Sequence, residues 1–230
     1  MDVRNNFSVL YEDNHLLVVE KPPNIPVQAD ISGDPDLLSM LKNYIKEKYS
    51  KPGNVFLGLV HRLDRPVGGV MVFARTSKAA SRLSEQIRSR KMQKTYLVVT
   101  EGSFETESGT LHNYLIKNRN ENRVSVVPEG TPNSYEAVLH FDVIDRFDGM
   151  TLLKINLITG RPHQIRVQLS HNGHPVIGDA KYGKTGKNGF TDNLALWSYQ
   201  LSFKLPVKDE ILSFTSLPPA CYPWTLFKLS

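Results

Sequence analysis

Residues 61–74 read HRLDRPVGGVMVFA, and the way this stretch divides decides the fold. Its second part, GGVMVFAR over 68–75, has the length and apolar density of a buried strand. Before it, Pro66, Gly68 and Gly69 turn the chain. In an extended segment residues two apart share a face, so Arg62 and Asp64 point one way and His61 and Leu63 the other. Asp64 is left at the junction of loop and strand, where side chains often reach a cleft. A lone aspartate more commonly makes a structural ion pair or an Asx-turn. Here the flanking Arg62 and Arg65 change the weighing, because a carboxylate held near guanidinium groups stays ionised, as a nucleophile must.

Working outward, residues 7–28 read as a strand, a turn at Glu12-Asp13-Asn14, a second strand over Leu16 to Val19 and a proline-rich loop. Leu37, Leu41, Tyr44, Ile45 and Lys48 fall at helical spacing. After the central strand, Thr76 or Ser77 caps a helix whose inner face carries Leu83 and Ile87 and whose outer face is basic. KTYLVVTEG is a strand with Tyr96, Val98 and Thr100 on one face and Leu97 and Val99 on the other. Residues 111–147 alternate short strand-like pieces with turns, and GMTLLKINLITG alternates with Leu153, Ile155 and Leu157 inward. RPHQIRVQLSHNG reads as a helix with Pro162 in its first turn and Gly173 as a left-handed cap. A strand over LALWSYQLSF precedes a proline-rich tail. Strands outnumber helices without regular alternation, which indicates an α+β fold with a largely antiparallel sheet. No linker is evident, so residues 1–230 are expected to form one domain.

The composition narrows the function. With 40% hydrophobic residues and a mean hydropathy of −0.31, the chain is a globular protein able to bury a core. A single cysteine, Cys221, excludes an internal disulfide and a thiolate metal cluster. There is neither a signal peptide nor a run of about 18 apolar residues, so a cytoplasmic protein with no membrane association is expected. The net charge of +5 and a pI near 9.2 favour a polyanionic partner. Basic residues crowd positions 62–94, opposed only by Asp64 and Glu85; a solvated helix face is the alternative reading.

Other chemistries fit less well. His163, His171 and His174 lack the spacing of a zinc helix, so no metal site is expected. GKTGKNG at 183–189 lacks the buried strand that precedes a nucleotide loop, and no G-x-S-x-G elbow occurs. A glycosidase needs two carboxylates across a cleft; Asp179 in GDAKYG is a candidate for the second, but its glycine-rich setting reads as a turn.

Taken together, VHRLDRPVGGVMVFART, KTYLVVTEG and TGRPHQIRVQLSHNGHPVIGDAKYG, in this order, resemble the RluA-type family of RNA pseudouridine synthases. YEDNHLLVVEKPPNIPVQ and LALWSYQLSF are similar to that family's first and last motifs, so the likeness runs from about Leu10 to the end. The chain departs from the usual pattern at Val67-Gly68, where Thr-Ser is usual, and at Gln168, where histidine is common.

The resemblance implies a mixed, mainly antiparallel bifurcated sheet with flanking helices and a central active-site cleft. It implies that Asp64 acts on the target uridine as nucleophile, that Tyr96 packs against the uracil and takes up a ribose proton, and that Arg166 pairs with the aspartate. Arg62 helps to displace the flipped base, and Arg161, His163 and Gln164 join it in binding substrate. Arg65, Lys78, Arg82 and Arg88 are candidates to contact the RNA backbone. The implied partner is ribosomal or transfer RNA, with no cofactor, no obligate protein partner and no appended RNA-binding module. A non-catalytic RNA-binding or RNA-folding factor on the same scaffold is the competing reading.

Overall fold

The computed structural model describes residues 7–183 and 193–229. The chain gathers into two compact units, Met1–Gln93 with Ser198–Ser216 and Lys94–Trp197 with Leu217–Ser230.

The first unit begins with the hairpin of β1 (Ser8–Glu12) and β2 (Leu16–Lys21). Asp13 shapes its turn by accepting from the His15 and Leu16 amides, both at 2.7 Å. Strand β4 (Gly68–Ala74) runs antiparallel to β2, with Leu16 opposite Ala74 and Lys21 opposite Gly69. The short β3 (Gly58–Leu59) pairs with the end of β4. Residues 198–204 of β10 (Leu196–Lys204) lie on the other side of β4, and β11 (Ile211–Thr215) pairs antiparallel with β10.

All seven residues of β4 are buried, which explains its unbroken apolar run. On one face Val70, Val72 and Ala74 join Leu16, Val18, Leu201 and Phe203 beneath Ala79 and Leu83 of α2 (Ser77–Arg88). On the other, Leu17, Val19, Met71 and Phe73 are fully buried. Gly69 sits at φ +113°, and a Cβ there would lie 2.2 Å from the Ser198 carbonyl oxygen, so no other residue fits between the backbones of β4 and β10.

The caps are local. Thr76 accepts from the Ala79 amide at 3.1 Å to start α2, and Asp36 accepts from the Ser39 amide at 3.0 Å to start α1 (Leu37–Lys48). Each stabilises its helix by about 1 kcal/mol. Helix α1 buries Leu37, Leu41 and Ile45, whereas Tyr44 and Lys48 of the same periodic set turn to Glu12 at 2.9 and 2.7 Å.

The second unit is an antiparallel sheet in the order β5 (Gln93–Glu101), β9 (Met150–Leu157), β8 (Tyr135–Phe147), β6 (Ser108–Asn118) and β7 (Arg123–Val127). The region expected to hold short pieces over 111–147 is two long strands of 11 and 13 residues, with the short β7 falling between them along the chain. A register shift between Val143 and Asp145 breaks the alternation of β8, so a continuous strand reads as fragments.

Helix α3 (Gln164–His171) starts after His163, which takes the left-handed conformation at φ 52°, so Pro162 lies before the helix rather than in its first turn. Gln164 organises this start: its Oε1 accepts from the Arg161 amide at 3.0 Å and the Thr159 hydroxyl at 2.8 Å. At the other end Gly173, at φ +85°, is the expected left-handed cap. His174 N donates to Leu169 O and Gly173 N to Ser170 O, a Schellman pair. The architecture is α+β, with sheet dominating and three α-helices among the described residues. No helix among them is long and apolar enough to cross a membrane.

Candidate active site

In the first unit, the segment between β3 and β4 presents Asp64. Leu63 is buried, and the His61 ring accepts from the Val72 amide at 3.1 Å, so these two face the strand. Arg62 is exposed and Asp64 half-buried on the other side, as the two-residue period requires. The Asp64 carbonyl accepts from Val67 N at 3.0 Å and closes a turn over Arg65-Pro66. Arg65 reaches back to the proline-rich loop, donating to the Asn24 carbonyl at 3.1 Å and pairing with Asp34 at 2.5 Å.

The turn is pinned by Lys21, a residue the motif reading passed over. Its side chain is fully buried at the end of β2. Nζ donates to Pro22 O at 3.0 Å, Arg65 O at 2.9 Å and Val67 O at 2.7 Å. Three acceptors match the three protons of an ammonium. Burial pushes Lys21 down to about 7, while Asp64 pulls it up and Arg65 pushes it further down. The signal was present: Leu17, Val19 and Lys21 share a strand face, and a lysine on a buried face needs an internal use.

In the second unit, Tyr96 is buried on β5 opposite Ile155 of β9. Lys94, two residues earlier on the same face, is half-buried and held low by desolvation. Its Nζ lies 3.2 Å from where a Cβ of Gly160 would be, so the glycine leaves that ammonium its full room.

Arg166 is buried on α3 and makes a bidentate pair with Asp179, Nε to Oδ2 at 2.8 Å and Nη2 to Oδ1 at 2.7 Å. Asp179 Oδ1 also accepts from the Lys181 and Tyr182 amides at 2.9 and 3.0 Å. The turn read from GDAKYG is therefore real, and the same carboxylate anchors an arginine. Burial raises the Asp179 carboxyl, but the Arg166 guanidinium and the two amides outweigh it and hold the group below its usual range. Two guanidinium groups, those of Arg166 and Arg123, each lie over the Tyr182 ring at 5.2 Å from its centre. Its hydroxyl meets His163 Nδ1 at 2.6 Å.

The remaining candidates are partly committed to the fold. Arg161 donates to Glu136 O at 2.8 Å and stacks over Tyr135. Gln164 is buried and also donates to Val138 O at 3.1 Å. On α2, Lys78, Arg82 and Arg88 are all exposed; Arg82 also donates to the Pro206 carbonyl, and Arg88 pairs with Glu85 one turn earlier. The basic loop 183–189 lies, apart from Gly183, outside the described residues. No group of three or more metal-ligating side chains occurs among the described residues.

A sequence model for the family described as RNA pseudouridylate synthase matches residues 15–171. The chain is 34% identical over 220 residues to the ribosomal large subunit pseudouridine synthase C of Buchnera aphidicola, covering 92% of this chain and 67% of that protein. It is 38% identical over 190 residues to the ribosomal large subunit pseudouridine synthase D of Xylella fastidiosa, covering 81% of this chain and 55% of that protein. The chain thus spans between about half and two thirds of these relatives' length. Among solved structures, the human RNA pseudouridylate synthase domain containing 4 superposes with a TM-score of 0.77 at 25% identity, covering 92% of this chain and 88% of that one.

Proposed function

The chain belongs to the RNA pseudouridylate synthase family, and from that premise we propose that it isomerises uridine to pseudouridine in ribosomal or transfer RNA with Asp64 as nucleophile. Large-subunit ribosomal RNA is the substrate that the names of the similar proteins support. The observation that carries the reading is the setting of Asp64: a half-buried carboxylate on a turn whose following carbonyls are tied to the buried Lys21 ammonium. A nucleophile needs such a fixed position.

The isomerisation breaks the bond from N1 to C1′, joins C5 to C1′, releases the C5 proton and protonates N1. Atoms and electrons balance within the nucleotide, so the reaction consumes no oxidant, reductant or nucleotide cofactor. The freed base must be kept from water while it turns. Tyr96 is assigned to stack on it and to take up a ribose proton, and Arg166 is the basic partner of Asp64 that the resemblance implies. Asp179 and Tyr182 support this role for Arg166 by fixing its guanidinium. Arg62, Arg161, His163 and Gln164 are assigned to the substrate, and Arg65, Lys78, Arg82 and Arg88 to its backbone.

Because the C5 hydrogen is lost, the test is release of tritium to water from ribosomal RNA transcribed with [5-³H]uridine and incubated with the purified chain alone. Release in proportion to pseudouridine formed is the expected result. Tight binding without release would make the protein an RNA-binding factor instead.

A further inference from the structure

In the first unit, the C-terminal end of α2 and the hairpin of β10 and β11 enclose a groove of about 860 Å³, and Asp64 is not among the residues that line it. Its walls are fastened together. Gln86 donates from Nε2 to Lys204 O at 2.8 Å and accepts at Oε1 from Lys204 N at 2.9 Å, pairing with the hairpin as a strand residue does. Arg82 adds its bond to the Pro206 carbonyl. The groove is thus a fixed feature of the unit.

Five cationic residues line it, Arg82, Arg90, Lys91, Lys204 and Lys208, against two acids, Glu85 and Asp209. Both acids are already engaged, Glu85 by Arg88 and Asp209 by Lys204 at 2.7 Å. Among the described residues, Lys91 and Lys208 have no acidic partner. The lining also includes two exposed apolar side chains, Val207 at 44% and Ile211 at 72% exposure. A surface that combines unmatched lysines with exposed apolar groups suits a polyanion carrying apolar faces between its charges. A ribose-phosphate chain has that character.

We propose that this groove binds the phosphodiester backbone of the RNA substrate outside the target nucleotide. The proposal rests on the reading that the substrate is RNA, but it uses none of the residues assigned to the chemistry. It also extends the RNA footprint from the outer face of α2 to the helix's C-terminal end and the facing hairpin.

The test is the double replacement Lys91→Gln with Lys208→Gln, both at exposed positions, compared with the parent in filter binding and tritium release on transcribed large-subunit ribosomal RNA. Each phosphate contact contributes about 0.7–0.9 to the slope of log affinity against log salt. The double variant should therefore bind more weakly, with a slope flatter by about 1.5 units. Its turnover at saturating RNA should equal the parent's. The pair Lys91→Arg with Lys208→Arg should keep the parental slope. Parental affinity and slope in the glutamine variant would overturn the proposal. So would parental RNA binding combined with lost affinity for a polyglutamate peptide, which would assign the groove to an acidic protein. If the parent bound RNA with this lysine-dependent slope yet released no tritium, the catalytic reading would fail and the groove would stand.

Discussion

Replacing Asp179 with asparagine keeps the side chain's shape and removes its charge. The carboxylate and its Arg166 partner are almost entirely sequestered, with side-chain exposures of 0% and 7%. The pair uses both carboxylate oxygens, at 2.8 and 2.7 Å. An asparagine oxygen at the Oδ1 position still accepts from Lys181 and Tyr182, so the turn survives. Its amide nitrogen then confronts Arg166 Nε, donor against donor. The loss is confined to the ion pair, and removing one member of a buried pair costs about 3–5 kcal/mol. Urea unfolding of Asp179→Asn at pH 7, followed by circular dichroism, should show a loss of that size. The pH dependence has a definite sign. Asp179 is held below its ordinary value of 3.8, so its stabilisation is complete above that value and disappears as pH falls through the lower folded value. The difference between parent and variant should accordingly shrink in acid. Turnover should fall as well, because Arg166 loses its anchor. A difference below about 1 kcal/mol at pH 7, the size of an exposed pair, would refute the reasoning.

Tyr96→Phe should lose more turnover than RNA affinity, since the ring still stacks and only the hydroxyl is gone; a variant unchanged in both would leave the hydroxyl without a role. Gln168→Leu should destabilise the protein by about 1–3 kcal/mol, because the two protons of its buried amide are shared among Leu111 O, Asn113 Oδ1 and Ala137 O, although its Oε1 has no hydrogen-bond partner; an unshifted urea midpoint would show that these acceptors do not need it. Lys21 sits at about 7 in the folded chain against an ordinary 10.5, so the unfolded chain binds more protons between these values and stability should rise with pH across that window. Lys21→Met should lack this rise, and parallel stability profiles of parent and variant from pH 7 to 10.5 would contradict the depressed value.

What was legible in the sequence was local. Gly69 ahead of an apolar run identifies β4, Thr76 marks the start of α2, and Gly173 marks the end of α3, because each signal sits within a few residues of its effect. The contacts that were missed join distant partners. Lys21 is held by carbonyls 44 and 46 positions away, and Arg82 is drawn to Pro206, 124 positions on. Asp179 follows Arg166 by 13 residues across a helix end, so the turn chemistry of GDAKYG could be read but not the arginine it holds. Helix α3 hides its role differently. Gln164, Arg166 and Gln168 are buried alongside Ile165, Val167 and Leu169, so no apolar stripe separates inside from outside. The bulge in β8 works against reading as well, since it changes the alternation in mid-strand.

Asp64→Asn tests the central claim most directly. The amide is nearly isosteric with the carboxylate and cannot serve as the nucleophile. Tritium release from [5-³H]uridine-labelled ribosomal RNA should drop to background in this variant, while its urea midpoint and RNA affinity remain those of the parent. Release at a rate near the parent's would contradict the account.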